Sequence, residues 1–237
     1  MDDGFVIALH GVTFGYERGK TTIDVPSLEV DGGLTLVVGQ NGSGKSTLLR
    51  LIAGVEAPRT GSISVSGHDL WSDEVAARRS LAYVPESPEL TPYATVIDVV
   101  QLVASLRGAP PAAVADALDR VGLFELGGRT VRELSMGQRR RAMLATALVG
   151  EPRVVILDEP LETLDAQMRV FVHDWVVALR EGGALILLAT HDLAAFAPLV
   201  DHVLFVERGV VAHHDLGSVP GEARRERLDA LIERREQ

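Results

Sequence analysis

The stretch GQNGSGKST, Gly39 to Thr47, has the pattern G-x-x-x-x-G-K-[ST], in which each residue type has a physical job. Gly42 and Gly44 allow backbone conformations that other residues resist, so successive N–H groups along Gly39, Gln40, Asn41 and Ser43 can turn inward around phosphate oxygens. A helix opening at about Lys45 would point the positive end of its dipole at the same anion. Lys45 adds a mobile charge for the β- and γ-phosphates, and the hydroxyl of Ser46, followed by Thr47, is placed to ligate magnesium.

A second chemical group follows the apolar run Val154 to Leu157. Asp158, at the end of a buried strand, can hold magnesium opposite Ser46. Glu159 can reach a water in line with the γ-phosphate and act as its base. Between the two sets lies LSMGQRRRAMLATALVG, Leu134 to Gly150. Ser135 has the position of an N-cap, so the helix start offers a hydroxyl, the Gly137 N–H and a positive dipole end as a second anion site. Arg139, Arg140 and Arg141 read as a solvated or carboxylate-paired face.

These residues need elements that end beneath them. FVIALHGVTFGY reads as a first strand, and TIDVPSLEV as a second that pairs with it across the turn around Gly19. Leu34 to Val38 is the strand that feeds the phosphate loop, a short strand carries Ile63 and Val65 and ends at Gly67, and Leu81 to Glu86 is another. Val96, Val99, Val100, Val103 and Leu106 recur at helical spacing, as do Val114, Ala117, Leu118 and Val121 in a helix closed by Gly127 and Gly128. The segment from about 88 to 150 is therefore expected to be a helical insertion in an α/β chain. Beyond it come the strand Arg153 to Asp158, a helix from Met168 to Arg180, the strand Ala184 to His191 and a hairpin turning at Arg208 and Gly209. The tail GEARRERLDALIERREQ reads as a helix packed by Leu228, Leu231 and Ile232.

The chain has 237 residues, enough for one sizeable core with a subdomain attached. Its formal charge of −10 argues against a general nucleic-acid binder. The absence of cysteine excludes disulfides and thiolate metal sites. No apolar run approaches the ~18 residues of a membrane-spanning helix, and the opening MDDGFVIALHGV lacks the marks of a secretory signal, so the cytoplasm is the expected location.

The phosphate loop, LSMGQ at Leu134 to Gln138, the acidic strand Val154 to Glu159 and a histidine at His191 follow one another in an order and spacing that resembles the ATP-binding subunit of an ABC transporter, over essentially the full length. The resemblance implies an α/β fold: a P-loop NTPase core with a mainly parallel sheet, an N-terminal antiparallel β subdomain and an inserted α-helical subdomain, in one domain over 1–237. It implies ATP and Mg2+ as cofactors, with Lys45, Glu159 and His191 catalytic, and Ser46, Asp158 and Glu86 at the metal. Tyr16 would stack on adenine, and Asp165 would communicate across a dimer. Ser135, Gly137 and Gln138 of one subunit would close over the nucleotide of the other. The implied partners are a second ATP-binding subunit, identical or not, and a separately encoded transmembrane permease, with the chain peripheral at the cytoplasmic face of the membrane.

Three departures from the family's pattern stand out. Met136 stands where the signature usually has glycine, Glu86 stands for a glutamine, and Glu162 and Thr163 replace small residues before Leu164 and Asp165. YVPE and LSMGQ resemble cassettes of drug-export and other ABC-2-type systems, so export is the expected direction. Two other readings are a soluble ABC-type ATPase of a non-transport process and a nucleotide-gated assembly module with little hydrolysis. The intact Lys45, Asp158, Glu159 and His191 argue against the second.

Overall fold

The computed structural model describes residues 6–236. Phe5, expected at the head of the first strand, and Gln237, expected in the tail helix, lie outside the described residues, as does the opening MDDG. The chain begins with β1 (Ile7–Phe14), β2 (Ile23–Val30), β3 (Gly33–Val38), α1 (Lys45–Ile52), β4 (Thr60–Val65) and β5 (His68–Asp69). It continues through α2 (Glu74–Arg79), β6 (Leu81–Val84), α3 (Val96–Arg107), α4 (Ala112–Arg120) and α5 (Met136–Leu148). After these come β7 (Val154–Asp158), α6 (Ala166–Glu181), β8 (Leu185–Ala189), α7 (Leu193–Phe196), β9 (Val200–Glu207), β10 (Val210–Asp215) and α8 (Gly221–Glu236).

The strands form one ten-stranded sheet in the order β5-β4-β1-β2-β10-β9-β3-β8-β7-β6. β1, β2, β4 and β5 pair antiparallel, whereas β3, β6, β7, β8 and β9 run parallel. This is the P-loop NTPase architecture with N-terminal antiparallel strands and inserted helices that the family resemblance implies. The expected hairpin turns at Arg208 and Gly209, both with positive φ (48° and 83°), which matches the right-handed twist of its strands.

The central strands are buried on both faces, and alternation assigns their side chains. Val155, Leu157, Ile186 and Leu188 join the helices α3 to α6 in one apolar cluster. Val154, Ile156, Leu185 and Leu187 join α1 and the antiparallel strands in a second. The register pairs Leu36 with Leu188 and Asp158 with Ala189, so the carboxyl ends of β3, β7 and β8 finish side by side. Open α/β sheets place ligands at that edge.

Several boundaries differ from those read in the sequence. β6 stops at Val84 rather than Glu86, because the proline that follows has no N–H for a ladder. The apolar face of α3 centres on Val96, Val100 and Ala104, while Leu106 is exposed. α4 ends at Arg120 and turns at Gly122, with positive φ, before Gly127 is reached. Arg107 fastens this helical part to the sheet: it donates to the carbonyls of Thr146 at 2.7 Å, Val149 at 2.8 Å and Leu81 at 3.0 Å. Burial pulls its guanidinium down to about 10. Among the described residues no helix is long and apolar enough to cross a membrane. Leu228 and Leu231 are buried under α8, and Ile232 packs beside them, as its stripe predicts.

Candidate active site

The loop after β3 is shaped before any ligand arrives. Gly42 has φ 78° and Gly44 φ 112°, conformations that side chains resist. A Cβ on Gly39 would lie 2.3 Å from the Val206 carbonyl and 2.6 Å from the Ser43 hydroxyl, so only glycine fits there. α1 opens at Lys45 with no side-chain cap, leaving its first N–H groups for an anion. The Lys45 ammonium donates to the carbonyls of Gly39 at 2.7 Å and Gln40 at 3.2 Å, so its charge is folded back over the loop. The Ser43 hydroxyl is buried without a protein partner, and Gln40 and Asn41 are exposed on the rim.

Across the strand ends, Asp158 is buried, with the Ser46 hydroxyl near its carboxyl. Burial pushes its carboxyl above the usual range; the Ser46 hydroxyl and the charges of Lys45 and Arg50 pull it down, and Glu86 pushes it up. Glu159 sits in the left-handed region at φ 49°, with its N–H bonded to the Ala189 carbonyl at 2.8 Å. A non-glycine residue held there costs about 1–3 kcal/mol, a strain that concentrates at functional sites. The Glu159 carboxylate accepts from the His191 backbone N–H at 3.2 Å, and the His191 ring Nε2 stands 3.5 Å from its other oxygen. Burial again raises the carboxyl, against the pull of His191.

Tyr16 is exposed beside the loop, edge-on to Phe14, with its hydroxyl 3.4 Å from the Thr47 hydroxyl. Ser135 and Gln138 form a reciprocal cap at the start of α5: Ser135 Oγ accepts from the Gln138 N–H at 3.3 Å and Gln138 Oε1 from the Ser135 N–H at 2.9 Å. Among the described residues no hydrogen bond joins this pair to Gly39–Thr47. Gly137 faces the Thr163 carbonyl, where an added Cβ would approach to 3.4 Å. Asp165 caps α6 by accepting from the Met168 N–H at 2.9 Å and also pairs with Arg141, so the start of α6 is joined to the second turn of α5.

The reading of the three arginines as a solvated or carboxylate-paired face holds for Arg141 and fails for Arg140. Arg140 is 1% exposed, and its guanidinium reaches the carbonyls of Pro85, Glu86, Asp158 and Glu159. Successive helix positions are ~100° apart, so three adjacent arginines cannot all face solvent. Arg59 was equally unmarked in the sequence. It donates to the carbonyls of Gly15 at 2.6 Å and Lys20 at 3.2 Å, and also to Glu17, holding the loop that carries Tyr16.

The donors fit a magnesium nucleotide. A glycine-only cradle, a partnerless Ser43 hydroxyl and uncapped N–H groups face an anion, with Ser46 and the Asp158 carboxylate beside them. Among the described residues no cluster of three or more histidine or acidic side chains could hold a metal alone. Magnesium commonly takes one or two protein oxygens and completes its shell with phosphate and water.

A family described as ABC transporter matches residues 26–162, more than half of the chain. The chain belongs to the ABC transporter family. Over 209 residues it is 37% identical to the aliphatic sulfonates import ATP-binding protein SsuB 2 of Pseudomonas aeruginosa, covering 88% of this chain and 74% of that protein. It is 34% identical over 218 residues to the manganese transport system ATP-binding protein MntA of Synechocystis, covering 87% and 83%. A solved ATP-binding subunit of an ABC transporter superposes with a TM-score of 0.84 at 28% identity, covering 98% of this chain and all of that one.

As a family member the chain is an ATP-hydrolysing enzyme that uses ATP and magnesium and acts with a partner in transport. Its resemblance to ABC-2 and drug-export cassettes is overturned by the relatives, which include sulfonate importers at 36–39% identity. YVPE and LSMGQ are short segments, whereas the match to the sulfonate importer of Pseudomonas aeruginosa extends over 88% of the chain.

Proposed function

We propose that this chain is the ATPase of an importer, acting as one domain over 1–237 with a nested helical subdomain at about 88–150. The relatives support import, and their names give an organic anion and a metal ion as cargo at 37% and 34% identity. Cassettes so similar serving such different cargo leave substrate choice to the permease. The chain would then sit at the cytoplasmic face, carried by that membrane partner.

The observation that carries the hydrolytic reading is Glu159, fixed between the His191 N–H and ring at the end of β7. In this reading the N–H groups from Gly39 to Thr47 hold the phosphates, and Lys45 swings from the Gly39 carbonyl onto them. Ser46 and Asp158, with Glu86 at the rim, hold magnesium, whose charge, when bound, neutralises the phosphate oxygens. Glu159 takes the proton of the attacking water, and His191 steadies both. Tyr16 offers its ring to adenine.

The exposed start of α5 supports a two-subunit site. Ser135, Gly137 and Gln138 make no hydrogen bond to their own loop, which suits a head-to-tail pair in which they close over the partner's nucleotide. In the same reading Asp165, tied to Arg141, carries the signal across the interface. The experiment is the mass of Glu159→Gln in solution with and without ATP and magnesium. A dimer appearing only with nucleotide and turnover below about 1% of the parent support the reading; unchanged turnover removes Glu159 as base, and a monomer with ATP bound removes the composite site.

A further inference from the structure

Arg140 heads the described residues in side-chain volume among those almost wholly buried, and the proposed reaction gives it no task. It points from α5 into the gap between two turns. One terminal nitrogen donates to the carbonyls of Pro85 and Glu86, the latter at 2.6 Å. The other donates to the carbonyls of Asp158, at 3.1 Å, and Glu159. These turns are the continuations of β6 and β7, whose ladder stops at the pair Val84 and Leu157. Just past that last rung the backbone carries Glu86 on one side and Asp158 with Glu159 on the other. The guanidinium therefore continues the connection with a side chain where the strands no longer provide it.

Its placement is costly unless it serves something. Burial pulls the guanidinium's pKa down, while the charges of Glu162, Asp158, Glu86 and Glu159 push it back up. A buried cation is a poor way to gain stability, since an apolar side chain of similar volume often does as well. What arginine adds is a planar fork that can bind carbonyls of two loops at once. Arg140 also lies on the helix capped by Ser135 and Gln138, so one rigid element carries both the exposed cap and the fork.

We propose that Arg140 is a positioning residue for hydrolysis, holding the Glu159 turn and the Glu86 turn in one relative geometry and tying both to the start of α5. The proposal rests on the reading of Glu159 as base. A displacement of about 1 Å at a reacting group can cost 10²-fold in rate without changing how tightly the nucleotide binds.

The test uses the full chain with Arg140→Met, which keeps volume and helix propensity but donates nothing, and Arg140→Gln, whose amide keeps part of the donor set. The measurements are kcat and KM for ATP, with ATP affinity taken in the Glu159→Gln background. Arg140→Met is expected to lower kcat by about tenfold or more with ATP affinity within about threefold, and Arg140→Gln to fall between it and the parent. A kcat within twofold of the parent in an Arg140→Met variant that binds ATP overturns the proposal. So does a fall of kcat and affinity by the same factor, which marks a merely structural role. If Arg140→Met fails to bind ATP at all, Arg140→Gln is judged by the same two criteria. Parental turnover in Glu159→Gln alone would instead sink the base assignment, a separate outcome.

Discussion

His191 holds Glu159 twice, through its backbone N–H at 3.2 Å and its ring Nε2 at 3.5 Å, across the adjacent ends of β8 and β7. The two contacts are separable by mutation. His191→Ala removes the ring and leaves the backbone donor, so the carboxylate keeps its anchor and loses its orienting partner. Turnover is expected to fall roughly 10²-fold with ATP affinity unchanged. Single-turnover hydrolysis beside equilibrium nucleotide binding checks this, and a parallel loss of both would place the ring in binding rather than in the reaction.

Arg59 and Tyr16 give a second test, of base recognition. The loop from Gly15 to Lys20 is clamped by the Arg59 guanidinium on its carbonyls, and Tyr16 is presented from that loop. Arg59→Ala is expected to raise KM for ATP by roughly tenfold with kcat unchanged, matching the ~1–3 kcal/mol that stacking on a base is worth. Tyr16→Ala should do the same, and the double variant should add little, because both act through one contact. Full additivity in that cycle would separate Arg59 from the ring.

How much of this was legible in the sequence follows from where the chemistry sits along the chain. The phosphate loop and the Asp158–Glu159 pair are contiguous, and their neighbouring strands are read from simple apolar runs, so motif and support could be read together. Arg140 gave no such signal, because the carbonyls it binds at positions 85, 86, 158 and 159 are contributed by backbone, to which side-chain identity is blind. The same holds for Arg59 and Arg107. The end of α4 was misplaced because Gly127 and Gly128 look like the stronger stop, whereas Gly122 already takes the left-handed turn. The direction of transport was misread because it rested on two short segments, YVPE and LSMGQ, while the importer relatives match 88% of the chain.

Asp201 supplies a stability prediction away from the site. Its carboxylate, 13% exposed, accepts from Arg180 at 2.7 Å, Arg224 at 2.9 Å and the Leu34 N–H at 2.9 Å, joining α6, α8 and the start of β3. Burial alone would raise its pKa, but the bonds from Arg180 and Leu34 and the two arginine charges outweigh it, and the net shift is downward. A carboxyl depressed on folding contributes stability that is fully present above its unfolded value near 3.9 and is lost as the pH falls through the folded value. Asp201→Ala strands Arg224, itself 11% exposed, and is expected to cost about 3–5 kcal/mol at neutral pH. Denaturant midpoints at pH 7 and pH 3 check both parts: the gap between parent and variant should shrink at the lower pH.

Thr163 tests whether strain next to the signature helix is used. It holds φ 60°, unusual for a β-branched side chain, and its carbonyl faces Gly137 at the start of α5. Left-handed backbone costs an ordinary residue about 1–2 kcal/mol, while glycine gives back roughly 0.5–1 kcal/mol through its freer unfolded chain. Thr163→Gly is therefore expected to be stable to within about 1 kcal/mol of the parent or slightly better, and Thr163→Asn, which tolerates this region and keeps a side chain, to gain about 1 kcal/mol. Chemical denaturation measures that gain. ATPase assays on the same variants then divide two outcomes: turnover kept with higher stability means the strain is incidental, and turnover lost with higher stability means the threonine holds the Gly137 face in a conformation that hydrolysis requires.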